Sequence, residues 1–167
     1  MTTLISDLKQ ALAPHAVLEG AEAVEAYHSP WTRLGQPVAV VRPASTAQVA
    51  AVLRLAAAAG VAVVPWGGRT GLVDGCVADG AIALSLDRMA AIETIVPGAA
   101  TMTVQAGCIL QTACEAAAEE GLLLPLDLGS RGSATIGGNI ATNAGGNRVL
   151  RYGMMREMVL GLEEVMA

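Results

Sequence analysis

Residues 61–71, Val-Ala-Val-Val-Pro-Trp-Gly-Gly-Arg-Thr-Gly, place a glycine-rich turn directly after a short apolar run. Upstream, the valine-rich run Pro37–Val41 predicts a buried strand. Ala47–Ala59 repeats apolar residues at helical spacing, with Thr46 as the expected N-cap. Val61–Val64 predicts the next strand. The order of strand, helix, strand and glycine-rich loop is typical of an α/β unit, in which ligands bind at the carboxyl ends of strands.

The rest of the chain predicts further helices and strands. Helices are expected at Thr2–Leu12, Ala21–Tyr27 and Ile109–Glu120, and strands at Ala81–Leu86, Ala91–Val96, Ala100–Ala106, Leu122–Leu124 and Met158–Met166. Between them, Gly129–Gly146 is dominated by Gly, Ser, Thr and Asn over 18 positions. Because ordinary connections have about 4–6 residues, this length predicts a functional loop.

Composition excludes several classes of protein. The chain has 167 residues, of which 53% are hydrophobic and 2% aromatic, and its net charge is −5. Few aromatic side chains and no polybasic run argue against nucleic-acid binding. The most apolar stretch, Leu55–Trp66, has 12 residues, whereas a membrane-spanning helix needs about 20. Three cysteines without a CxxC motif favour a reduced, cytoplasmic protein.

The segment Pro65–Gly71 is the first candidate site. Three glycines in five positions allow close backbone approach, and successive N–H groups in such a turn can bind a pyrophosphate. Arg69 and the Thr70 hydroxyl are candidates for direct contacts. The segment matches neither GxGxxG nor the P-loop, since its first two glycines are adjacent and no lysine follows them. A tight turn without a ligand is the equally favoured alternative.

The segment Ser133–Gly146 is the second candidate site. Asn139 and Asn143 are four residues apart beside two Gly-Gly pairs, and on a helix they would share a face. Amide side chains next to small residues suit a flat, neutral ligand that forms hydrogen bonds. Ile136 and Ile140, at the same spacing, favour a packed segment over the alternative of a surface loop.

Other polar residues form no recognisable catalytic set. His15 and His28 lack acidic or cysteine partners at metal-binding spacing, so no metal site is predicted. Asp127 is either a hydrogen-bond acceptor for a ligand or, as the favoured alternative, a helix-capping or turn residue. Three arginines after the second candidate site either attract an anionic substrate or form surface ion pairs: Arg148, Arg151 and Arg156.

With these motifs in place, the sequence resembles one family. Val64–Val73 (VPWGGRTGLV), Val104–Gly107 (VQAG) and Leu124–Leu162 are similar to the FAD-binding domain of the vanillyl-alcohol-oxidase/p-cresol-methylhydroxylase (PCMH) type. Among these FAD-linked oxidases the chain is most similar to the D-2-hydroxyacid dehydrogenases, which include enzymes acting on D-2-hydroxyglutarate, D-lactate and glycolate. The resemblance implies an α+β (α/β) fold of two small α/β subdomains, truncated at the C-terminus.

The resemblance also implies a domain plan. Residues 1–30 would form a helical lead, residues 31–97 the first subdomain and residues 98–167 part of the second. The substrate-binding cap domain would be absent. Catalytic residues are therefore expected in the missing C-terminal part and are unassigned in this chain.

The resemblance assigns FAD as the cofactor. The backbone of Gly67–Gly71 would bind its pyrophosphate, Pro125–Ser130 would border the cofactor, and Val159 would offer backbone to its adenine end. Its ribityl and isoalloxazine parts would be lined by Gly137, Gly138, Asn139, Thr142 and Asn143. The implied cofactor-binding residues are Pro65, Trp66, Gly67, Gly68, Arg69, Thr70, Gly71, Leu72, Pro125, Leu126, Gly129, Ser130, Gly137, Gly138, Asn139, Thr142, Asn143 and Val159. The first loop holds no histidine that could attach flavin, so FAD is expected to bind non-covalently.

Three residues depart from the pattern of the resembling enzymes. Trp66 and Arg69 stand where those enzymes usually have Gln and Asn, and Asp74 stands where they have Gly. Since the pyrophosphate would be bound by backbone N–H groups, Arg69 is compatible with FAD binding.

The function implied by the resemblance is the oxidation of a D-2-hydroxy acid to the 2-oxo acid by hydride transfer to FAD. The substrate of the full-length enzyme would be similar to 2-hydroxyglutarate, lactate or glycolate, and this fragment alone would be inactive. The alternative is a flavin-binding or interaction module without turnover. Exposed apolar residues are expected near Val159–Met166, with a homodimer formed through this edge.

Overall fold

The computed structural model describes residues 2–29 and 31–166, and the chain divides into two units. Unit 1 comprises residues 1–88 with 164–167, and unit 2 comprises residues 89–163. Met1, Ala167 and the predicted boundary residue Pro30 lie outside the described residues. The domain plan given by the resemblance stays a prediction.

Unit 1 alternates helices and strands. In chain order its elements are α1 (Thr2–Leu12), β1 (Val17–Glu19), α2 (Gly20–Ala26), β2 (Ala39–Val41), α3 (Thr46–Ala58), β3 (Val63–Trp66) and β4 (Ile82–Ser85), with a 3₁₀ turn at Pro14–Ala16. The strands lie in the order β1-β2-β4-β3. β4 is parallel to both β2 and β3, whereas β1 is antiparallel to β2. Unit 1 is therefore an α/β unit with a mixed four-stranded sheet, in which β3 lies at one edge.

The core of unit 1 has two layers because side chains alternate along the central strands. Val41 and Leu84 pack in one layer with apolar residues of α1 and α3. Val40 and Ala83 point to the other layer, which contains Trp66 at the end of β3. Every residue of β2 and β4 is buried, as expected for strands covered on both faces.

The predicted elements of unit 1 are confirmed with small changes at their ends. β3 starts at Val63 and not at the predicted Val61. The reason is that the Val61 N–H donates to the Ala56 carbonyl near the end of α3 (3.0 Å). The N-cap of α3 is Ser45 and not Thr46: Ser45 has extended backbone, and its side chain accepts from the Gln48 N–H. The three-residue strand β1 was not predicted, since so short a run carries no detectable alternation.

Unit 2 begins with a hairpin and continues with helices. Its elements are β5 (Ile92–Val96), β6 (Thr101–Val104), α4 (Leu110–Glu119), α5 (Ile136–Ala141), α6 (Val149–Tyr152) and α7 (Met155–Met158), with a 3₁₀ turn at Pro97–Ala99. β5 and β6 pair antiparallel. The buried core of this unit consists of Cys108, Leu110, Ala113, Leu126, Ile136 and Met155.

Two strands predicted for the second half of the chain are wrong. Leu122–Leu124 forms no strand, because the Leu122 N–H donates to the Ala117 carbonyl at the end of α4 (2.9 Å). Met158–Met166 forms no strand either: Met158 ends α7, and the part of the segment that the structure describes has no strand partner. A segment with an apolar pattern forms a strand only where a neighbouring strand pairs with its backbone N–H and C=O groups.

The expected exposure of apolar residues in this last segment is confirmed. Leu160 is 83% exposed and Leu162 is 62% exposed. None of the described helices has the length and apolar character needed to cross a membrane, and the longest, α3, has 13 residues.

Candidate functional site

The first glycine loop, residues 67–71, directly follows β3. Hydrogen bonds from other residues to its carbonyl groups hold it in place. The Ser29 hydroxyl donates to the Arg69 carbonyl (2.9 Å). The Thr32 hydroxyl donates to the Gly71 carbonyl. Ser29 and Thr32 are both buried, and Ser29 Oγ also accepts the Thr32 N–H (3.3 Å). The support beneath the loop is therefore fixed by its own hydrogen bonds.

The N–H groups of the first glycine loop are unused. Within the described residues, no N–H from Gly67 to Gly71 donates a hydrogen bond to another protein group. A third carbonyl, that of Gly67, accepts from the Arg69 guanidinium (3.2 Å). Arg69 has a left-handed backbone, with φ of 53°. Successive unpaired N–H groups in a turn with such a residue are able to bind an anion.

An aromatic layer lies at the base of the first glycine loop. Trp66 is fully buried, and its Nε1–H donates to the Cys76 carbonyl (2.8 Å). The Tyr27 ring centroid lies 6.0 Å from that of Trp66. The Tyr27 hydroxyl donates to Asp87 Oδ2 (2.9 Å). Burial, together with this hydrogen bond, raises the pKa of Tyr27 to about 12.

Asp87 follows β4 and is occupied by two partners. Arg42 Nε lies 3.2 and 3.1 Å from its two carboxylate oxygens, and Tyr27 holds the second oxygen. Burial acts to raise the pKa of Asp87, but the hydrogen bonds from Arg42 and Tyr27 outweigh it and lower that pKa below its ordinary value. The carboxylate is therefore ionised and engaged, and it is not a free general base.

The second glycine segment, residues 129–146, uses its N–H groups for its own fold. The Ile136 N–H donates to the Cys108 carbonyl and the Gly137 N–H to the Ala106 carbonyl, both at 2.8 Å. A Cβ on Gly137 would lie 2.7 Å from Ala106 Cβ. Only glycine permits this close approach. The segment was predicted as a loop, but residues 136–141 form α5.

The two asparagines of the second glycine segment have different surroundings. Asn139 lies in α5 and is 4% exposed, and its Nδ2 is buried without a partner in the described part of the chain. Asn143 lies beyond the end of α5 with φ of 49°, and its Oδ1 accepts the Arg156 N–H (2.9 Å). The predicted shared helical face is wrong because the helix ends at Ala141. Asn139 alone keeps an unused buried donor.

Asp127 holds the second glycine segment together. Its carboxylate lies 3.2 Å from Arg131 Nη1 and 3.4 Å from Asn147 Nδ2, and its carbonyl accepts the Asn147 N–H (2.9 Å). Arg148 Nε is 4.0 Å from the same carboxylate. A Cβ on Gly146 would lie 2.1 Å from the Asp127 carbonyl oxygen. Asp127 forms an isolated β-bridge with Gly146, which differs from the favoured prediction, and Arg148 forms a surface ion pair with Asp127.

The remaining predicted site residues divide between the two units. Pro65–Leu72 lies in unit 1, and the others, from Pro125 to Val159, lie in unit 2. Leu72 is 75% exposed, whereas Leu126 belongs to the buried core of unit 2 and Val159 packs against that core. Their roles toward a cofactor stay predictions.

Ser29, Thr32 and Tyr27 support the first glycine loop and were missed by the sequence reasoning. They precede the loop by some 35–44 positions, and no spacing rule connects two hydroxyls to the carbonyls of a distant turn. The available signal is physical: a loop that presents its N–H groups must have donors for its carbonyls.

Metal and thiol chemistry find no support in the described residues. Within residues 2–29 and 31–166, no group of three His, Cys, Asp or Glu side chains is placed to hold a metal ion. Cys76, Cys108 and Cys114 are free thiols, and burial raises the pKa of each. A thiol with a raised pKa is a poor nucleophile.

Comparisons with known proteins agree on one family. Residues 37–167 match the model of the FAD binding domain. D-2-hydroxyglutarate dehydrogenase of Xanthomonas citri pv. viticola is 47% identical over 164 residues, covering 96% of this chain and 35% of the relative. The mitochondrial D-2-hydroxyglutarate dehydrogenase of Bos taurus is 41% identical, covering 95% and 30%. The chain thus spans about a third of the length of the curated relatives it matches.

Solved structures show the same fold at low sequence identity. An alkyldihydroxyacetonephosphate synthase matches 96% of this chain and 32% of its own, with a TM-score of 0.85 and 20% identity. A p-cresol methylhydroxylase matches 86% of this chain and 30% of its own, with a TM-score of 0.75 and 18% identity. The predicted fold class, an α/β domain of the PCMH type, is confirmed.

Proposed function

The chain belongs to the FAD binding domain family, and from this premise we propose that it forms the FAD-binding part of an enzyme that oxidises a D-2-hydroxy acid to the 2-oxo acid. The substrate class is supported by the relatives at 41–47% identity that are named D-2-hydroxyglutarate dehydrogenase. D-2-hydroxyglutarate is therefore the first substrate to test, ahead of D-lactate and glycolate.

The observation that carries the proposal is the first glycine loop. Three carbonyls are held by Ser29, Thr32 and Arg69, while the N–H groups of residues 67–71 find no acceptor among the described residues. A pyrophosphate supplies the acceptors that these donors lack. Because three of the five carbonyls are already fixed, binding requires little rearrangement of the loop, and such preorganisation favours affinity.

The second glycine segment fits a flat ring. The buried Nδ2 of Asn139 lacks an acceptor in the described part of the chain, and leaving such a donor unpaired costs about 1–3 kcal/mol. A ring oxygen or nitrogen of the isoalloxazine would satisfy it.

These contacts imply different roles for FAD and for the residues of this chain. FAD, when bound, supplies the hydride acceptor. The backbone N–H groups of the first glycine loop would bind its diphosphate, and separately Asn139 would donate to its ring. Asp87 and Asp127 are both engaged by arginines, so neither is free to take the substrate's hydroxyl proton. That base, and the groups that bind the substrate carboxylate, are proposed to lie further along the protein.

The test uses the full-length protein and its flavin. Purified protein should be yellow, and anaerobic addition of D-2-hydroxyglutarate should bleach the flavin absorbance, whereas the L-enantiomer should not. Absence of FAD binding would contradict the proposal. Retained FAD that none of D-2-hydroxyglutarate, D-lactate and glycolate reduces would favour the alternative, a flavin-binding module without turnover.

Non-covalent attachment is part of the proposal. Residues 65–72 contain no histidine, cysteine or tyrosine, so the first glycine loop offers no side chain to bond the flavin. Acid precipitation of the holoprotein should leave all flavin in the supernatant. Yellow colour retained in the pellet would show a covalent bond.

Localisation and assembly are proposed on narrower grounds. Three free cysteines support a reducing compartment and hence the cytoplasm, although the relative from Bos taurus is named mitochondrial.

Exposed Leu160 and Leu162 support a homodimer contact that does not depend on strand pairing. Light scattering on the full-length protein tests the dimer: a monomer whose mass is unchanged over a wide concentration range would contradict it.

A further inference from the structure

Arg69 folds back beneath the loop that carries it. Its Cζ lies 4.9 Å from the centroid of the Tyr27 ring and 5.9 Å from that of Trp66. Its Nη1 donates to the Gly67 carbonyl (3.2 Å). The guanidinium thus lies against two aromatic faces, an arrangement that favours a cation.

The charge of Arg69 is incompletely compensated. Its Nε is buried and has no hydrogen-bond partner among the described residues. Burial lowers the pKa of the guanidinium, which remains charged near neutral pH because an arginine pKa starts far above that range. The carboxylate in this network, Asp87, is already held by Arg42 and Tyr27. One carbonyl and two rings do not replace the water that this cation has lost.

We propose that Arg69 is a positioning residue for the cofactor's diphosphate, acting from beneath the loop and without direct contact. It fixes the Gly67 carbonyl, so that the loop keeps its N–H groups available. It also places an undercompensated positive charge beside those donors, and the diphosphate supplies the missing counter-charge. This inference rests on the proposed binding of FAD, since it concerns the same loop.

The proposal predicts opposite effects on two measurable properties. Removing the charge should leave the cofactor-free protein at least as stable, because a poorly solvated cation is lost. The same change should weaken the binding of ligands that carry a diphosphate. A residue with a structural role alone would lower stability and binding together.

The experiment compares Arg69→Gln and Arg69→Lys in the full-length protein freed of flavin. The dissociation constants of FAD and ADP are measured at low and high salt, and the melting temperature is measured without ligand. We expect Arg69→Gln to weaken FAD and ADP about tenfold, with a smaller salt dependence than the unmodified protein. Arg69→Lys should recover most of the affinity, since it keeps the charge.

Variants of the two tyrosines complete the comparison. Tyr152→Phe is the control and should bind FAD within about twofold of the unmodified protein, whereas Tyr27→Leu removes the ring beneath the guanidinium and should weaken binding. Each variant is compared by its melting temperature, so that a folding defect is recognised.

The outcomes separate this inference from the proposed function. If the unmodified protein binds neither FAD nor ADP, the proposed function fails. If it binds FAD and Arg69→Gln binds equally well, the inference alone is overturned. Equal weakening in Arg69→Lys and Arg69→Gln, with unchanged salt dependence, would also overturn it, because the charge would then have no part.

Discussion

In the first glycine loop three of the five carbonyl groups are held, and the N–H groups of Gly67–Gly71 have no acceptor among the described residues. In the second glycine segment most N–H groups donate to other protein groups. Ser29 and Thr32 supply the donors that hold the first loop. In the second segment, backbone carbonyls such as that of Ala106 accept the N–H groups.

The difference shows that glycine content alone does not indicate how a segment recognises a ligand. The first glycine loop offers backbone donors, which suit an anion. The second segment pairs its backbone N–H groups with other protein groups, packs its backbone closely, and offers one buried side-chain donor, Asn139. Its glycines serve close approach, as at Gly137 against Ala106.

Gly146→Ala should destabilise the protein most. Gly146 has φ of 90°, and a Cβ there would lie 2.1 Å from the Asp127 carbonyl oxygen. Left-handed strain and overpacking each cost about 1–3 kcal/mol, so the free energy of unfolding should fall by about 3 kcal/mol or more in urea titrations. Gly132→Ala is the matched control, because a Cβ at Gly132 meets nothing within 4 Å. Equal loss in both variants would show that close packing does not distinguish these positions.

Tyr27→Phe should change the pH dependence of stability. The pKa of Tyr27 is raised from 10.0 to about 12 by burial and by the hydrogen bond to Asp87. The folded state therefore keeps a proton that the unfolded state loses between these values. The contribution of the protonated Tyr27 hydroxyl to the free energy of unfolding is complete below pH 10 and is lost as the pH rises toward 12. The total loss is about 2–3 kcal/mol. Unfolding titrations across this window should lose that slope in Tyr27→Phe.

The matched variant for this measurement lies in the other unit. Tyr152→Phe removes the hydroxyl of the second tyrosine, and the alkaline decline in stability should survive it. The account of the Tyr27–Asp87 bond fails if Tyr152→Phe removes the decline and Tyr27→Phe leaves it in place.

Ser29→Ala should weaken both the loop and its ligand. The Ser29 hydroxyl donates to the Arg69 carbonyl and accepts two N–H groups, so its removal should cost about 1–2 kcal/mol of stability and about tenfold in FAD affinity. Ser133→Ala, an exposed position in the second glycine segment, is the control for both measurements. A Ser29→Ala protein that binds FAD normally would show that the loop keeps its shape without this support.

Asn139→Ala should have the smallest effect on stability. Since Nδ2 of Asn139 is unpaired in the described structure, losing it should change the unfolding free energy by less than about 1 kcal/mol, because the cavity left by the side chain offsets the relief of an unsatisfied donor. FAD affinity should nevertheless fall by about tenfold. If stability falls sharply and affinity is unchanged, Asn139 is a structural residue and its donor has no ligand.

Much of the fold could be predicted from local sequence pattern. Helices α1, α3 and α4 and strands β2 to β6 follow apolar periodicity, which reports directly on burial. The strand predicted at Met158–Met166 was wrong. Its apolar pattern is typical of a strand, but no partner strand pairs with it among the described residues. Pairing is a property of two segments, and a single segment does not encode it.

The candidate site was predictable only for its backbone. Glycine spacing pointed to the first loop, because three glycines in five positions favour close approach and tight turns. Ser29, Thr32 and Tyr27 could not be found, since nothing in their own neighbourhood reports the distant carbonyls and cation that they contact. Asp74, at φ of 55°, shows the converse case, in which aspartate occupies a left-handed position that glycine would favour.

Hydrogen exchange distinguishes a first glycine loop whose N–H groups are free to bind an anion from one whose N–H groups are already paired. In the full-length protein without flavin, the amides of Gly67–Gly71 should exchange rapidly, while those of Ile136 and Gly137 should be protected. Saturating FAD should protect the first set and change the second little. Amides in the first glycine loop that are already protected without FAD, or that stay unprotected when FAD is bound, would contradict the account.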